Sequence, residues 1–249
     1  MKTNLLKPLV ASLLLVGCVS AQAAHFEVLG YNATSRYSGT VDFTDFNFNG
    51  DYTSGGNDFG TAVSAIETTT DYEHSGNASG SFLGGSFLDL TTSVSFSSAN
   101  PIEYYGIATA VEKTVQLQVV ADAGDIGPQV NVSFAGLSST FSGLVGSSEG
   151  TFQTSVRVSQ GSNVLANFTT KQFADQNVNF AFAAQAGDII VLSASQGVHM
   201  NASGPIDASL TGMLYGNFTV TAVPEPEQYA MLLAGLGLIA GVARRRSSR

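Results

Sequence analysis

Side-chain oxygens recur at every second residue in one short segment near the start of the chain. They belong to Asp45, Asn47, Asn49 and Asp51. Alternate oxygens beside a Gly that allows a sharp turn are typical of the first half of a calcium-binding loop. The bidentate Glu that closes such a loop is replaced by Gly56, and the two intervening Phe residues fit a strand better. We therefore favour a strand ending in a hairpin turn at Asn49-Gly50, with calcium as the alternative.

One motif and the three His residues are further candidates for catalysis. Residues 146–150 read Gly-Ser-Ser-Glu-Gly, which fits the G-x-S-x-G pattern of a hydrolase nucleophile elbow. An elbow must lie between a strand and a helix, but residues 151–159 alternate like a strand, so a turn is favoured. His25 lies beside the expected new N-terminus, and neither His74 nor His199 has a Cys, His or carboxylate at a metal-ligand spacing that stands out. The sequence predicts no enzyme and no cofactor, apart from the calcium alternative.

The composition limits the fold that could position such residues. The chain has 249 residues, of which 12% are charged, against roughly 25% in an average globular protein. A coiled coil needs far more charge than this. A disulfide scaffold is excluded by the single Cys, and charge-driven disorder is disfavoured by 44% hydrophobic residues. With 27 Gly residues and no Trp, the composition is typical of a polar, β-rich domain.

The first 23 residues have the three parts of a secretory signal peptide. These parts are the positive Lys2 and Lys7, the apolar Leu9–Val16, and the small Ala21 and Ala23 at the cleavage site. Cleavage there would make Ala24 the first residue of the exported protein, and the segment before it is expected to be a signal helix. An alternative is a lipoprotein, since residues 15–18 read Leu-Val-Gly-Cys and end at Cys18, which could carry the lipid.

The C-terminal segment also has three ordered parts. They are the motif Val223, Pro224, Glu225 and Pro226, the uncharged apolar stretch 230–243, and the cluster Arg244, Arg245 and Arg246. The cluster is expected to stay in the cytoplasm and stop transfer. As a helix the apolar stretch would be about 21 Å long, which is short for a span. We nevertheless expect a transmembrane helix that makes transient membrane contact.

This arrangement closely resembles the PEP-CTERM sorting signal of Gram-negative bacteria over residues 223–246. The resemblance implies processing near the Pro-Glu-Pro motif by a membrane protease called an exosortase. It also implies a link to exopolysaccharide export, biofilm or floc formation. Whether the tail is removed or retained as an anchor stays open.

Between the two signals, residues 24–222 are predicted to form one secreted domain. Apolar and polar residues alternate over residues 115–119, 130–134, 152–158 and 178–182, which indicates half-buried strands. The run 189–192 is continuously apolar and predicts a fully buried strand. Up to about residue 100 repeated Gly residues favour short strands and loops. The predicted fold is an all-β, antiparallel β-sandwich of jelly-roll type, flanked by the signal helix and a short hydrophobic C-terminal helix.

The charge of this domain limits the classes of partner that it can bind. Residues 24–223 contain seventeen Asp and Glu residues but four basic ones: Arg36, Lys113, Arg157 and Lys171. Such a surface cannot neutralise phosphates, which excludes nucleic acid. The leading hypothesis is a non-enzymatic, exported protein of the cell surface or extracellular matrix, structural or adhesive within exopolysaccharide. The alternatives are a carbohydrate-binding module and a secreted hydrolase.

Overall fold

The computed structural model describes residues 24–55, 58–100, 102–120, 129–223 and 226–247. In these residues thirteen strands form two antiparallel sheets, one with six strands and one with seven. The antiparallel sandwich predicted from the sequence is therefore confirmed. The signal helix, its cleavage residues Ala21 and Ala23, and Cys18 lie outside the described residues.

The strands are numbered in chain order. The six-stranded sheet contains β1 (His25–Val41), β2 (Thr44–Asn49), β7 (Tyr105–Val120), β9 (Glu149–Gln160), β10 (Asn163–Thr170) and β12 (Ile189–Ala202). The seven-stranded sheet contains β3 (Asp51–Gly55), β4 (Asp58–Thr68), β5 (Tyr72–Leu83), β6 (Phe87–Ser98), β8 (Gln129–Gly143), β11 (Gln176–Gln185) and β13 (Ile206–Ala222). A helix, α1 (Pro226–Ser247), follows β13.

The strand order confirms the jelly-roll topology. The six-stranded sheet runs β10-β9-β12-β7-β1-β2, and the seven-stranded sheet runs β11-β8-β13-β6-β5-β4-β3. From β6 onwards the chain passes between the sheets at almost every connection, so β6 to β13 form the eight strands and two four-stranded halves of a jelly roll. The first five strands extend both halves at one side.

Alternation along each strand builds the core between the sheets. Val115, Leu117 and Val119 of β7 are buried, while the polar residues between them face outwards. Residues 189–192 follow the same rule instead of being buried throughout: Ile190 is 1% exposed and Ile189 is 48% exposed. The prediction of a continuously buried strand is therefore wrong, because the outer face of β12 is open although β12 lies in the middle of its sheet.

The first hundred residues are more regular than predicted. β1 pairs with β7 along almost its whole length, and β4, β5 and β6 form a continuous meander. Gly76 and Gly80, which we expected to interrupt the strands, lie inside β5. They leave space for the side chains of Tyr37 and Lys113 from the facing sheet. The hairpin expected at Asn49-Gly50 is also wrong. β2 pairs with β1 and β3 pairs with β4, so the chain crosses between the sheets at this point.

The C-terminal segment leaves the sandwich at the predicted motif. Val223 directly follows β13, and its backbone N–H donates a hydrogen bond to the carbonyl oxygen of Gln129 (3.0 Å). α1 begins at Pro226, a residue type favoured in the first turn of a helix. Within the described residues no helix has the length and apolar character that a membrane crossing requires. The expected transmembrane helix over 230–243 is thus not supported, since its apolar stretch amounts to only about 21 Å.

Candidate functional site: a groove on the outer face of the six-stranded sheet

The outer face of the six-stranded sheet carries mostly polar residues, with a few small or apolar ones between them. It presents every second residue of each strand, because side chains alternate between the two faces. Antiparallel register brings these residues into rows that cross the sheet. One row contains Thr34, Glu112, Ser195, Ser155 and Thr169, and Ser155 and Ser195 share a hydrogen bond of 2.8 Å between their hydroxyl oxygens. The face therefore offers a regular array of hydroxyl, amide and charged groups.

A depression of about 520 Å³ lies on this face. Its floor contains Ala108 and Ala110 of β7 and Gly197 of β12, which are small and leave the backbone uncovered. One wall is the segment after β10, where Lys171 and Phe173 rise beside β9. Phe173 is 45% exposed, so part of its ring is available to a ligand. The small floor residues and the raised wall together create an open site.

A second depression of about 370 Å³ continues the first along β9 and β10. The two share Glu112, Gln153 and Ser195, and we refer to them together as the outer groove. Arg157 and Asn167 line the second part. Among the described residues that line the groove, Glu112 is the only carboxylate. The groove can bind a polar ligand through hydrogen bonds and two cations, Arg157 and Lys171.

Two buried titratable groups, Tyr37 and His74, form a separate cluster between the sheets with the half-exposed carboxylate of Glu67. The Tyr37 hydroxyl donates to Nδ1 of His74 (2.6 Å), and Nε2 of His74 donates to Oε2 of Glu67 (3.1 Å). Burial lowers the pKa of His74, although the Glu67 carboxylate opposes part of this effect. Burial also raises the pKa of Tyr37 above its ordinary value, with the Glu67 charge as a smaller cause. A neutral His74 satisfies both hydrogen bonds, so these groups hold the core together rather than contact a ligand.

Lys113 is the second unusual buried group. It is 2% exposed, and its Nζ has no hydrogen-bond partner among the described residues. The ammonium position lies 5.5 Å from the centre of the Tyr31 ring. Burial lowers the pKa of Lys113 to about 7, while the charge of Asp89 opposes part of this lowering. The Lys113 side chain thus fills the space left by Gly80, and burying its charged form lowers the stability of the fold.

The four residues proposed from the sequence as calcium ligands lie along an extended segment. Asp45, Asn47 and Asn49 point to the outer face of edge strand β2, and Asp51 starts β3 in the other sheet. Two of them have protein partners: Thr40 Oγ1 donates to Asp45 (2.6 Å), and Arg36 Nε donates to Asn47 (3.1 Å). No group of three or more His, Cys, Asp or Glu residues among the described residues is arranged to hold a metal ion. The calcium site stays a prediction.

The other sequence candidates are dispersed. Gly146 and Ser147 form a turn, and Glu149 and Gly150 begin β9, so a turn before a strand stands where the nucleophile elbow would require a helix to follow. His199 lines the outer groove, whereas His74 is buried. Of the sorting residues, Val223, Pro226 and Arg244–Arg246 belong to the described segments, but Pro224 and Glu225 do not. Sequence reasoning missed the groove residues, since only the exposed Phe173 after β10 offered a local signal.

The fold and the groove define an antiparallel jelly-roll domain with an open groove on the outer face of one sheet. Residues 222–247 match the family model described as the PEP-CTERM protein-sorting motif. This motif marks proteins that an exosortase sorts to the cell surface or extracellular space, so the chain is an exported protein with an exosortase-type processing partner.

Comparison with known proteins adds little about the ligand. No curated protein matches the chain. One similar solved structure is TmCBM61 in complex with beta-1,4-galactotriose, with a TM-score of 0.26 and 10% sequence identity. That match covers 62% of this chain and 90% of the other. A likeness at this level carries no conclusion about binding.

Proposed function

We propose that this protein is a non-enzymatic, structural or adhesive component of an exopolysaccharide matrix, and that it holds polysaccharide in the outer groove. The observation that carries this proposal is the open, polar groove on the six-stranded sheet. Adhesion to a matrix requires that the protein bind a matrix component. Carbohydrate binding, the alternative considered from the sequence, would therefore be the molecular activity behind the adhesive role.

The chemistry of the groove fits sugar rings. Ser155, Gln153 and Asn167 offer hydroxyl and amide groups that both donate and accept hydrogen bonds, as sugar hydroxyls require. The exposed part of the Phe173 ring, which also contacts the Phe152 ring (6.4 Å between centroids), offers an apolar surface for a pyranose ring. Glycoside hydrolysis generally uses a pair of carboxylates, whereas Glu112 stands alone among the described lining residues. This favours binding over hydrolysis.

Export and sorting would leave the groove intact. We propose the boundaries 1–23 for the signal peptide, 24–222 for the secreted domain and 223–249 for the sorting signal. β1 begins at His25 and β13 ends at Ala222, so cleavage after Ala23 and near Pro226 would remove no strand. Large apolar side chains of α1 are exposed, for example Met231 at 75% and Leu238 at 73%. Such a surface suits brief contact with a membrane before processing.

The proposal is tested with the protein recovered from the surface and medium of producing cells. Polysaccharide isolated from their matrix should retain it. Gly197→Val should weaken retention strongly, because the new side chain would fill the groove floor; an added Cβ would meet only Thr109 O at 3.4 Å and Ala110 Cβ at 3.8 Å. The matched control is Ser133→Val, at an exposed position of β8 in the other sheet. Equal retention of both variants and the unaltered protein would refute binding in the groove.

A further inference from the structure

The exposed basic residues of the domain are all on one side of the sandwich. Of the four basic residues in 24–223, Lys113 is buried. The remaining three, Arg36, Arg157 and Lys171, are exposed on the outer face of the six-stranded sheet or at the groove wall. The outer face of the seven-stranded sheet has none of these cations and presents acidic residues, among them Glu73, Asp89 and Asp207. The molecule is therefore acidic on one face and mixed in charge on the other.

These cations surround the groove. Arg36 lies in one row across the sheet with Ala110, Gly197 and Gln153, so Arg36 and Gln153 are three strand spacings apart, or about 14 Å. Lys171 stands beyond Gln153 in the groove wall. Small side chains occupy the floor between the two sides. A polymer lying in the groove would thus pass between positive groups.

Two of the cations are available to a ligand. Among the described residues, neither Arg157 nor Lys171 has a carboxylate within ion-pair distance, although the domain contains seventeen acidic residues. Arg36 donates to the neutral amide oxygen of Asn47. Unpaired cations on the less acidic face of a strongly acidic domain attract anions to that face, while the rest of the surface repels them.

We propose that the outer groove takes an acidic polysaccharide, one whose sugar units carry carboxylate groups. This inference rests on the proposed function, since it names the class of polymer held in the same groove. The Arg157 guanidinium can bind a carboxylate through two parallel hydrogen bonds, and Lys171 provides a compact positive charge. Glu112, two strands away on β7 in the row between them, repels such a polymer and limits its affinity. Exposed ion contacts are individually weak, so the repeated units of the polymer provide the binding strength.

The test uses matrix polysaccharide from the producing cells, separated by anion exchange into neutral and acidic fractions. Part of the acidic fraction is treated chemically to reduce its carboxylates to alcohols. We expect the recovered protein to bind the acidic fraction most tightly, to lose most of that binding after carboxylate reduction, and to bind more weakly in high salt. Each of Arg157→Gln and Lys171→Gln should weaken binding about two- to fivefold, and Glu112→Gln should strengthen it by a similar factor.

The control is Ser133→Glu, which changes the net charge by one unit on the outer face of the other sheet. Its binding should differ less than twofold from that of the unaltered protein. Equal binding to neutral, acidic and reduced fractions, or equal loss in Ser133→Glu and Lys171→Gln, would overturn the acidic specificity and leave polysaccharide binding in place. Failure to bind any of the three fractions would overturn the proposed function as well.

Discussion

Phe43 occupies a backbone conformation that bulky residues rarely adopt. Val41 pairs with Thr44 in a two-residue hairpin loop, and Asp42 and Phe43 have φ angles of 47° and 65°. Loops of this geometry usually carry Asn-Gly, because both central residues need positive φ. Phe43 is also 73% exposed, so its ring gains little burial energy to compensate for the backbone strain. The turn is a local weak point of β1 and β2.

Replacing Phe43 by Gly should therefore stabilise the protein. The relieved strain is about 1–2 kcal/mol, and the larger entropy of Gly in the unfolded chain offsets part of it. We expect a net gain of roughly 0.5–1 kcal/mol in the free energy of unfolding, measured by urea denaturation. Thr44→Gly, one residue later where φ is not positive, should lower stability instead. A loss of stability in Phe43→Gly would show that the ring makes a contact worth more than the strain.

Lys113 should make stability depend on pH in the alkaline range. The unfolded chain binds the lysine proton below its ordinary pKa of 10.5, whereas the folded protein binds it only below about 7. Between these values the unfolded state holds more protons, so the free energy of unfolding rises with pH by up to about 1.4 kcal/mol per unit. At pH 7 and below, the folded protein carries the cost of a buried charge.

The measurement is urea denaturation between pH 6 and 10 with two substitutions. Lys113→Met keeps the shape of the side chain without its charge, so it should increase stability at pH 6 by a few kcal/mol and remove the rise towards pH 10. Lys171→Met, at an exposed site, should leave the profile unchanged. If the unaltered protein shows the same flat profile as Lys113→Met, then Lys113 finds a partner when it is charged.

At the scale of elements, glycine inside β5 determines how closely the two sheets approach. A Cβ on Gly76 would lie 2.1 Å from Cδ2 of Tyr37, which is itself fully buried and bonded to His74. Gly76→Ala should therefore cost about 1–3 kcal/mol in thermal or urea unfolding, as overpacking of a filled core does. Gly30→Ala is the comparison, since its Cβ would meet only the Gln116 side chain at 3.4 Å. Equal stability of the two variants would mean that Tyr37 can move aside.

The sequence could predict the strands whose pattern is local, but not the features that depend on residues distant in the chain, such as Gly76. Strands such as 115–119 and 178–182 show regular alternation, and the structure confirms them because one face of each is buried. In the sequence, Gly76 looks like a residue that ends a strand. Its real role is to leave space for Tyr37, which lies on the facing sheet and is distant in the sequence. The outer groove escaped prediction for a related reason. Ala110 and Gly197 are 87 residues apart and become neighbours only through antiparallel register.

For the whole molecule, the proposed signal peptide and sorting signal can be separated from the sandwich. The first strand begins at His25, two residues after the predicted cleavage site, and the last strand ends before Pro224. The signals can therefore be removed without loss of a strand, and all residues that line the outer groove remain. An exported form without residues 1–23 and α1 would keep every described residue that lines the outer groove.

Intact-mass spectrometry of the protein from the cell surface and medium should show both removals. The expected mass lacks residues 1–23 and the tail beyond Pro226. Glu225→Ala, within the Pro-Glu-Pro motif, should prevent processing and preserve the mass of residues 230–249, because we propose that the exosortase acts at this motif. Glu227→Ala removes the same charge two residues later and should be processed normally. A mass retaining the tail in the unaltered protein would instead indicate a retained anchor, and an added diacylglycerol on Cys18 would replace the predicted cleavage after Ala23 with lipidation.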